Sequence, residues 1–208
     1  AQGSTQDDSI NCINVSKDNI AQQIHEIADK LNCDIGDHKT NNSDANNKFD
    51  CDSCCYCKIL RGISKYNQSP IYMSKHFFLM PTLGEFTHEY LLVIPIRHVM
   101  SIAALTDEEC KDFVDVLEDA HELLRMTYGC EHFFDTENGT GHSGFGKAKD
   151  SVVHAHLHTV GVDITAKQVM EKYGMPLKRI NIDELSKYGE DSYWLINGEN
   201  LNSWYVFC

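Results

Sequence analysis

Apolar and polar positions alternate with a helical period over one long stretch, "LTDEECKDFVDVLEDAHELLRMTYG" (residues 105–129). Apolar side chains return every three or four residues there, which predicts an amphipathic helix. Thr106 and Glu109 form a capping box at the start of this helix, and Gly129 ends it. The apolar stripe that predicts its buried face comprises Phe113, Val114, Leu117, Ala120 and Leu124.

Short runs of β-branched and aromatic residues between turn-forming residues predict strands on both sides of this helix. Those before it are "PIYMSKHFFLM" (70–80) and "EYLLVIP" (89–95), joined by a turn with Pro81 and Gly84. Those after it are "EHFFDT" (131–136), "SVVHAHLHTV" (151–160) and a hairpin, "SYWLINGENLNSWYVF" (192–207), with Asn197 and Gly198 in its turn. A short helix is predicted over residues 166–173. The pattern predicts an α+β fold, a mostly antiparallel sheet with one long helix packed on it.

The first 48 residues differ in character from the rest. Residues 17–33 have apolar side chains at helical spacing, which predicts a short amphipathic helix, and residues 34–50 are rich in Asn and Asp without any period. We therefore expect an N-terminal appendage over residues 1–48 and a folded domain over residues 49–208. The final "SWYVFC" predicts a strand with nothing after it, which is consistent with a chain that continues beyond Cys208.

Three histidines stand at alternate positions in "SVVHAHLHTV": His154, His156 and His158. Their neighbours are apolar or β-branched, so the run predicts a strand with the three imidazoles on one face. Such a face suits a metal site with three ligands, or phosphate chemistry with a histidine nucleophile. A polar strand face that only meets solvent is the third interpretation.

A glycine-rich loop, "ENGTGHSGFGKAKD" (137–150), precedes this run. Glycines such as Gly144 let backbone N–H groups approach a phosphate closely, and Lys147 and Lys149 add local positive charge. Many such loops are only flexible connections. Beside three histidines, the loop favours phosphate binding.

The net charge of −13 over 208 residues argues against a general nucleic-acid-binding protein, because contacts to a phosphate backbone need a basic surface. A small anionic substrate remains compatible with it if positive charge is concentrated locally. No apolar run is long enough to span a bilayer, and residues 1–9 are polar rather than signal-like. We expect a cytoplasmic protein without a membrane partner.

Four of the nine cysteines fall in "CDSCCYC" (residues 51–57). In a chain without a secretory signal, this clustering favours metal binding in a reducing compartment over disulfides. Two overlapping Cys-x-x-Cys pairs are available, Cys51 with Cys54 and Cys54 with Cys57. Spacing alone does not choose between them.

Three blocks in order resemble one protein family, the histidine triad (HIT) superfamily of nucleotide hydrolases and transferases. "HAHLHTV" matches its His-φ-His-φ-His-φ-φ signature, where φ is an apolar residue. "EYLLVIPIRHVMSIAALTDEE" resembles its strand, Pro-basic-basic-His turn and helix, with Ile96 replacing the first basic residue. "CCYCKILRG" resembles the Cys-x-x-Cys-x-Ile segment of zinc-containing members, which include relatives of galactose-1-phosphate uridylyltransferases and dinucleoside polyphosphate hydrolases.

The resemblance implies a HIT-like fold and specific roles for the histidines. His156 would be the nucleophile that attacks an α-phosphorus and forms a covalent nucleotidyl-histidine. His158 would hydrogen-bond the phosphate or the leaving group. Ser151 would contact a phosphate oxygen or the leaving group, and Asn138 corresponds to the phosphate-side asparagine of the family.

The resemblance assigns the remaining histidine to a structural zinc ion. In zinc-containing members, the first triad histidine binds zinc with a Cys-x-x-Cys pair and the histidine of the turn. The implied ligands are Cys54, Cys57, His98 and His154. Two thiolates and two imidazoles form a closed tetrahedral set. Lys58 and Ile59 follow Cys57 as in the family segment, which favours this pair over Cys51 with Cys54.

One departure concerns the nucleoside. Many HIT hydrolases bind ribose with an Asp after the second strand, where this chain has Thr82 in "LMPTLGEF". Apolar candidates for a base pocket, for which core packing is the alternative role, are Ile59, Leu60, Phe78 and Met80. The preferred nucleobase stays open.

The sequence therefore predicts a zinc-containing nucleotide hydrolase or nucleotidyltransferase acting on a phosphoanhydride, phosphoramidate or phosphoester. Alternatives are a zinc hydrolase with three histidine ligands and a non-catalytic nucleotide-binding or interaction protein. An enzyme that removes AMP from nucleic-acid ends is disfavoured by the acidic charge. From the resemblance we also expect a homodimer.

Overall fold

An eight-stranded sheet forms the centre of the structure, a computed structural model that describes residues 54–64, 68–82, 87–139, 154–174, 176–189, 191–198 and 200–208. The strands are β1 (Tyr72–Met73), β2 (Phe77–Pro81), β3 (Tyr90–Pro95), β4 (Phe134–Gly139), β5 (Leu157–Val160), β6 (Lys178–Asn181), β7 (Tyr193–Asn197) and β8 (Ser203–Phe207). Their order across the sheet is β1-β2-β3-β5-β4-β7-β8-β6, and all paired strands are antiparallel.

Within the described residues, three α-helices accompany the sheet: α1 (Cys55–Leu60), α2 (Asp107–Tyr128) and α3 (Ala166–Tyr173). Two 3₁₀ helices, Ile102–Ala104 and Ile182–Tyr188, connect strands and helices. The predicted α+β class is confirmed. None of the described helices is both long and apolar enough to cross a membrane.

Helix α2 begins and ends where its sequence signals predict. Thr106 and Glu109 form the capping box, and Gly129 adopts the left-handed conformation with φ 75°. Its buried side chains pack on one sheet face and are Phe113, Val116, Leu117, Ala120, His121 and Leu124, with Glu109 at its start. Val114 of the predicted stripe is only partly buried, and it packs against the edge of the core that these side chains form with the sheet.

The opposite face of the sheet carries α1 and α3 at its two ends. Leu92, His158, Thr136 and Ile196 are cross-strand partners in sequence across β3, β5, β4 and β7, so their side chains share this face. We call it the site face. Helix α1 packs over β2 and β3 there, and α3 packs against Ile196. The middle of the site face, around His158, lies between the two helices.

Several predicted element boundaries are wrong. The run 70–80 is two strands, because Ser74 closes a turn in which its N–H donates to the carbonyl of Phe77 at 2.9 Å. The strand predicted over 131–136 lies at Phe134–Gly139. The histidine-bearing strand begins only at Leu157, since the N–H of Ala155 donates to the Val99 carbonyl at 2.7 Å rather than to a strand of the sheet.

Among the remaining predictions, some elements are confirmed, some were missed and some lie outside the described residues. The C-terminal hairpin and the helix at 166–173 are confirmed as β7–β8 and α3. Helix α1 and strand β6 have no counterpart among the predicted elements. The appendage at residues 1–48, with its predicted helix and linker, lies outside the described residues.

Candidate functional site

Four side chains from distant parts of the chain meet beside α1. They are Cys54, Cys57, His98 and His154, and the ligand atoms they offer lie within 4.8 Å of one another. Cys54 precedes α1 and Cys57 lies in its first turn, so one short helix brings both thiols to the same place. His98 follows β3 and His154 precedes β5, two neighbouring antiparallel strands.

Contacts within this cluster are close and specific. His154 Nδ1 lies 3.3 Å from Cys54 Sγ and 3.7 Å from Cys57 Sγ, and His98 Nδ1 lies 3.2 Å from Cys57 Sγ. A hydrogen bond with Cys57 lowers the pKa of Cys54 far below its ordinary value, against the opposing effect of burial, and His154 and His98 lower it further. Cys54 is thereby disposed toward the thiolate form, which is the form that binds metals.

His154 is fixed on its other side by the backbone. Its Nε2 lies 2.8 Å from the carbonyl oxygen of Pro95, which can only accept a hydrogen bond, so Nε2 carries the proton. Nδ1 consequently presents a lone pair toward the two thiols. The side chain is 1% exposed, and this two-sided arrangement is the usual one for a metal-binding histidine.

His156 has a different set of partners. Its Nδ1 lies 2.8 Å from the carbonyl oxygen of His154, so Nδ1 is the protonated nitrogen and Nε2 carries the lone pair. Burial lowers the pKa of His156, which favours the neutral ring. The ring of Tyr56 in α1 contacts the rings of His154 and His156, with centroids 5.7 and 5.5 Å away.

His158 is the only triad histidine inside β5. Its Nδ1 hydrogen-bonds with the hydroxyl of Tyr90 on β3. Burial, with the neighbouring His156, lowers the pKa of His158 to about 4, while burial raises the pKa of Tyr90. Tyr90 therefore stays protonated, and its hydroxyl donates a hydrogen bond to Nδ1 of His158. The proton of the neutral His158 ring is then on Nε2, which can act as a donor. The His156 and His158 ring centroids are 4.8 Å apart.

The other predicted site residues are not all brought to this place. Ser151, Gly144 and Lys147 lie outside the described residues. Asn138 is exposed on β4, one position from the end of the strand, and Thr82 directly follows β2. The base-pocket candidates are core residues no more than 4% exposed: Ile59, Leu60, Phe78 and Met80.

Four residues near the histidines were missed by the sequence analysis: Tyr56, Tyr90, Thr136 and Trp194. Thr136 is the cross-strand partner of His158, and its hydroxyl accepts a hydrogen bond from Trp194 Nε1 at 2.6 Å. The sequence shows that each lies in an apolar or strand-like run. Their position beside the histidines depends on strand register, which no local signal carries.

Comparisons with known proteins identify the family of this chain. The sequence profile of the family described as "Scavenger mRNA decapping enzyme C-term binding" matches residues 53–174, more than half of the chain. The chain is similar to "Protein hit" of Bacillus subtilis, at 26% identity over 109 residues that cover 52% of this chain and 70% of the relative.

Solved structures of similar chains include a HIT family protein from Bacillus anthracis, with 25% identity, a TM-score of 0.45, and 59% of this chain and 86% of that one covered. Another is a HIT family hydrolase from Clostridium thermocellum, with 17% identity, a TM-score of 0.42, and 54% and 93% covered. The family match lies over the cysteine pair, both zinc-candidate histidines and the whole triad. The chain belongs to the scavenger mRNA decapping enzyme C-terminal binding family, within the histidine triad superfamily.

Proposed function

We propose that the protein is a nucleotide hydrolase or nucleotidyltransferase that works through a covalent nucleotidyl-histidine on His156. One observation carries the proposal: the 2.8 Å hydrogen bond from His156 Nδ1 to the carbonyl of His154. It places the free lone pair on Nε2 without any need for a base. A neutral imidazole held in this tautomer is a competent nucleophile toward phosphorus at neutral pH.

The reaction has two displacements. In the first, the Nε2 lone pair of His156 forms an N–P bond to the α-phosphorus, and the P–O or P–N bond to the leaving group breaks with its electron pair going to that group. In the second, the oxygen of water or of another acceptor forms a P–O bond to the same phosphorus and releases its proton to solvent. The N–P bond breaks, and its electron pair returns to Nε2 of His156.

His158 stabilises charge in this scheme and does not attack. With Nδ1 held by Tyr90, its Nε2–H is free to donate to a phosphate oxygen or to the leaving atom. We assign contacts with the nucleotide phosphates to Ser151, Asn138, Gly144 and Lys147, and a place near the ribose to Thr82. The family resemblance supports the assignments of Ser151 and Asn138, and the glycine-rich loop supports those of Gly144 and Lys147. Thr82 stands where many family members have the ribose-binding Asp.

We further propose a structural zinc ion on Cys54, Cys57, His98 and His154. A tetrahedral zinc with bonds of about 2.0–2.3 Å places its ligand atoms roughly 3.3–3.8 Å apart. The Sγ–Nδ1 separations of 3.3, 3.2 and 3.7 Å fit that geometry. The ion would tie α1 to the segments after β3 and before β5, and so fix the carbonyl that orients His156.

The separate partners of the three histidines favour this division over a zinc hydrolase with three histidine ligands. His154 faces thiols, His156 faces a carbonyl, and His158 faces a tyrosine hydroxyl. A small nucleotide remains the proposed partner. The homodimer expected from the resemblance stays a prediction. Light scattering of the purified protein, which measures its molecular mass, tests it.

Trapping the intermediate tests the function. Purified protein is incubated with a panel of nucleoside 5′-polyphosphates and phosphoramidates, quenched at alkaline pH, where phosphoramidates survive, and digested for mass spectrometry. We expect a nucleoside monophosphate adduct on His156, absent from His156→Asn. The matched control, His132→Asn at an exposed position outside the site, keeps the adduct. Binding of nucleotide without an adduct or turnover would instead favour a non-catalytic nucleotide-binding protein.

A further inference from the structure

A cavity of about 420 Å³ lies between α3 and the site face of the sheet. Its lining is mainly aromatic and aliphatic. The residues that matter here are Phe134, Ile164, Val169, Lys172, Tyr173 and Trp194. Phe134 comes from β4, Trp194 from β7, and most of the others from α3, so three separate elements define the cavity. None of these residues belongs to the proposed zinc site or to the histidine triad.

A short series of contacts connects this cavity to the triad. Trp194 Nε1 donates to Thr136 Oγ1 at 2.6 Å, and Thr136 is the cross-strand partner of His158. Trp194 lies two strands from His158 and two residues further along its strand than Ile196, the residue level with His158. With strands about 4.8 Å apart and a rise of about 3.4 Å per residue, the two backbones are roughly 12 Å apart. The hydrogen bond draws the indole back toward β4. The cavity and the triad therefore lie side by side on one face of the sheet.

The other flank of the triad is filled by protein. Ile59, Leu60, Phe78 and Met80 are at most 4% exposed, and the ring of Tyr56 packs against His154 and His156. These apolar side chains on the α1 side are therefore packed into the core and expose almost no surface next to the histidines. The α3 side has the cavity described above.

The lining indicates the kind of group that fits. A volume near 420 Å³ is in the range of small-molecule sites, and an indole held by its N–H presents a fixed aromatic face. Planar rings stack on such faces. Among the described residues that line the cavity, Lys172 is the only basic one. The polar residues Asp163 and Gln168 supply hydrogen-bonding atoms for the edge of a ring.

We propose that this cavity is a subsite for a planar aromatic group on the leaving side of the phosphorus, and that Trp194 determines the preference for such leaving groups. The inference rests on the proposed function. A leaving group departs in line, away from His156 Nε2, with the electron pair of the broken bond. His158, which would donate to the leaving atom, is the triad histidine that neighbours Thr136 and Trp194.

The test compares two substrates that deliver the same nucleotidyl group. Diadenosine triphosphate releases ADP, whose leaving side carries an aromatic base, whereas adenosine 5′-phosphoramidate releases ammonia. The measured quantity is the ratio of kcat/KM for the first substrate to kcat/KM for the second. Guanosine analogues of both are run in parallel because the preferred base is open.

Trp194→Ala is expected to lower this ratio about tenfold, because one stacking face is lost. Most of the change should be a higher KM for diadenosine triphosphate. Trp194→Phe, which restores an aromatic face, recovers most of the ratio. Tyr173→Ala lowers it as well, and because Tyr173 is 63% exposed this variant keeps the fold if Trp194→Ala does not. Lys172→Ala should also lower the ratio, because the ADP leaving group carries negatively charged phosphates and ammonia does not.

Matched controls lie outside the cavity. Tyr128→Ala removes an exposed aromatic ring from α2, on the other face of the sheet, and Lys167→Ala removes an exposed lysine from α3. Both are expected to keep the wild-type ratio.

The outcomes separate the two proposals. No adduct on His156 with any of the four substrates overturns the proposed function and this inference with it. An adduct combined with an unchanged ratio in Tyr173→Ala and in the folded Trp194 variants overturns the inference alone. An adduct with a reduced ratio in the cavity variants, and not in the controls, supports both.

Discussion

His156 Nδ1 donates to the backbone carbonyl of His154, 2.8 Å away, while the imidazole of His154 faces the thiols of Cys54 and Cys57. His154 thus contacts the proposed zinc site through its side chain and the proposed nucleophile through its backbone. The proposal gives separate tasks to residues that are two apart in sequence. Substitutions at the three histidines are therefore expected to have different effects.

His156→Asn is expected to retain metal and fold while turnover falls at least about 1,000-fold, because the attacking atom is lost. His154→Asn should lose metal and thermal stability, since it removes one of four ligands. Metal analysis, thermal melts and single-turnover rates on the two proteins make the comparison. Loss of zinc from the His156 variant would contradict separate roles and favour three histidine ligands.

Cys57→Ser is expected to abolish metal binding and to lower the melting temperature by roughly 10 °C or more, because the binding energy of a structural site is also folding energy. Cys55→Ser is the matched control. Cys55 neighbours the pair in the same helix but lies outside the four-ligand cluster. Metal content is measured on protein never exposed to chelator. Equal metal content in both variants would refute the assigned site.

Tyr90→Phe tests how His158 is held. Without the hydroxyl, Nδ1 of His158 loses its donor, and Nε2–H is no longer the enforced tautomer. We expect kcat to fall about tenfold, which corresponds to the free energy of one hydrogen bond, with metal content unchanged. Tyr72→Phe is the control, since its hydroxyl donates to Asp119 at 2.7 Å, away from the triad. An equal loss of rate in both variants would count against the role of Tyr90.

A buried carboxyl predicts how stability depends on pH. Glu137 on β4 accepts hydrogen bonds from the N–H of Ile102 at 2.9 Å and from the Tyr193 hydroxyl at 2.6 Å. Burial raises the pKa of Glu137 to about 7, against the lowering effect of these two bonds. The native state thus binds a proton that the unfolded state releases near pH 4.5. Its contribution to stability is fully present below pH 4.5 and is lost as pH rises toward 7.

Glu137→Gln should remove this dependence. Between about pH 5 and pH 7, the free energy of unfolding of the wild type should fall, relative to the variant, by about 2 kcal/mol. Urea denaturation over that range gives both values. Glu131→Gln, at an exposed position, controls for the loss of one charge. Parallel pH profiles for Glu137→Gln and the wild type would show that Glu137 does not titrate there.

Local signals were sufficient for some elements and not for others. Helix α2 was predictable because its period, capping box and terminal glycine all agree. Helix α1 has only six residues, which is too few for a helical period to appear in the sequence. Its first turn is made of cysteine-rich sequence that carries no other helix signal. Strand β6 has one buried position, Ile180, so it shows little alternation.

The candidate site divides in the same way. The four proposed cysteine and histidine ligands could be named from the family resemblance, in which Lys58 and Ile59 favour Cys57 over Cys51 as the partner of Cys54. Tyr90 and Thr136 flank His158 only through the registers of β3, β5 and β4. Pairing over dozens of residues depends on the global packing of the sheet, so sequence reasoning placed neither residue at the site.

The pairing of β4 with β7 extends the sheet beyond the region of family similarity. Similarity to the family stops at residue 174, yet the outer side of β4 is hydrogen-bonded to β7, and Trp204 of β8 is fully buried against Phe113. A recombinant fragment trimmed to the region of similarity would leave β4 as a bare strand edge and remove a large aromatic side chain from the core. Such a fragment would be prone to self-association through β4. Protein production and limited proteolysis should therefore treat residues 178–207 as structural core rather than as a tail.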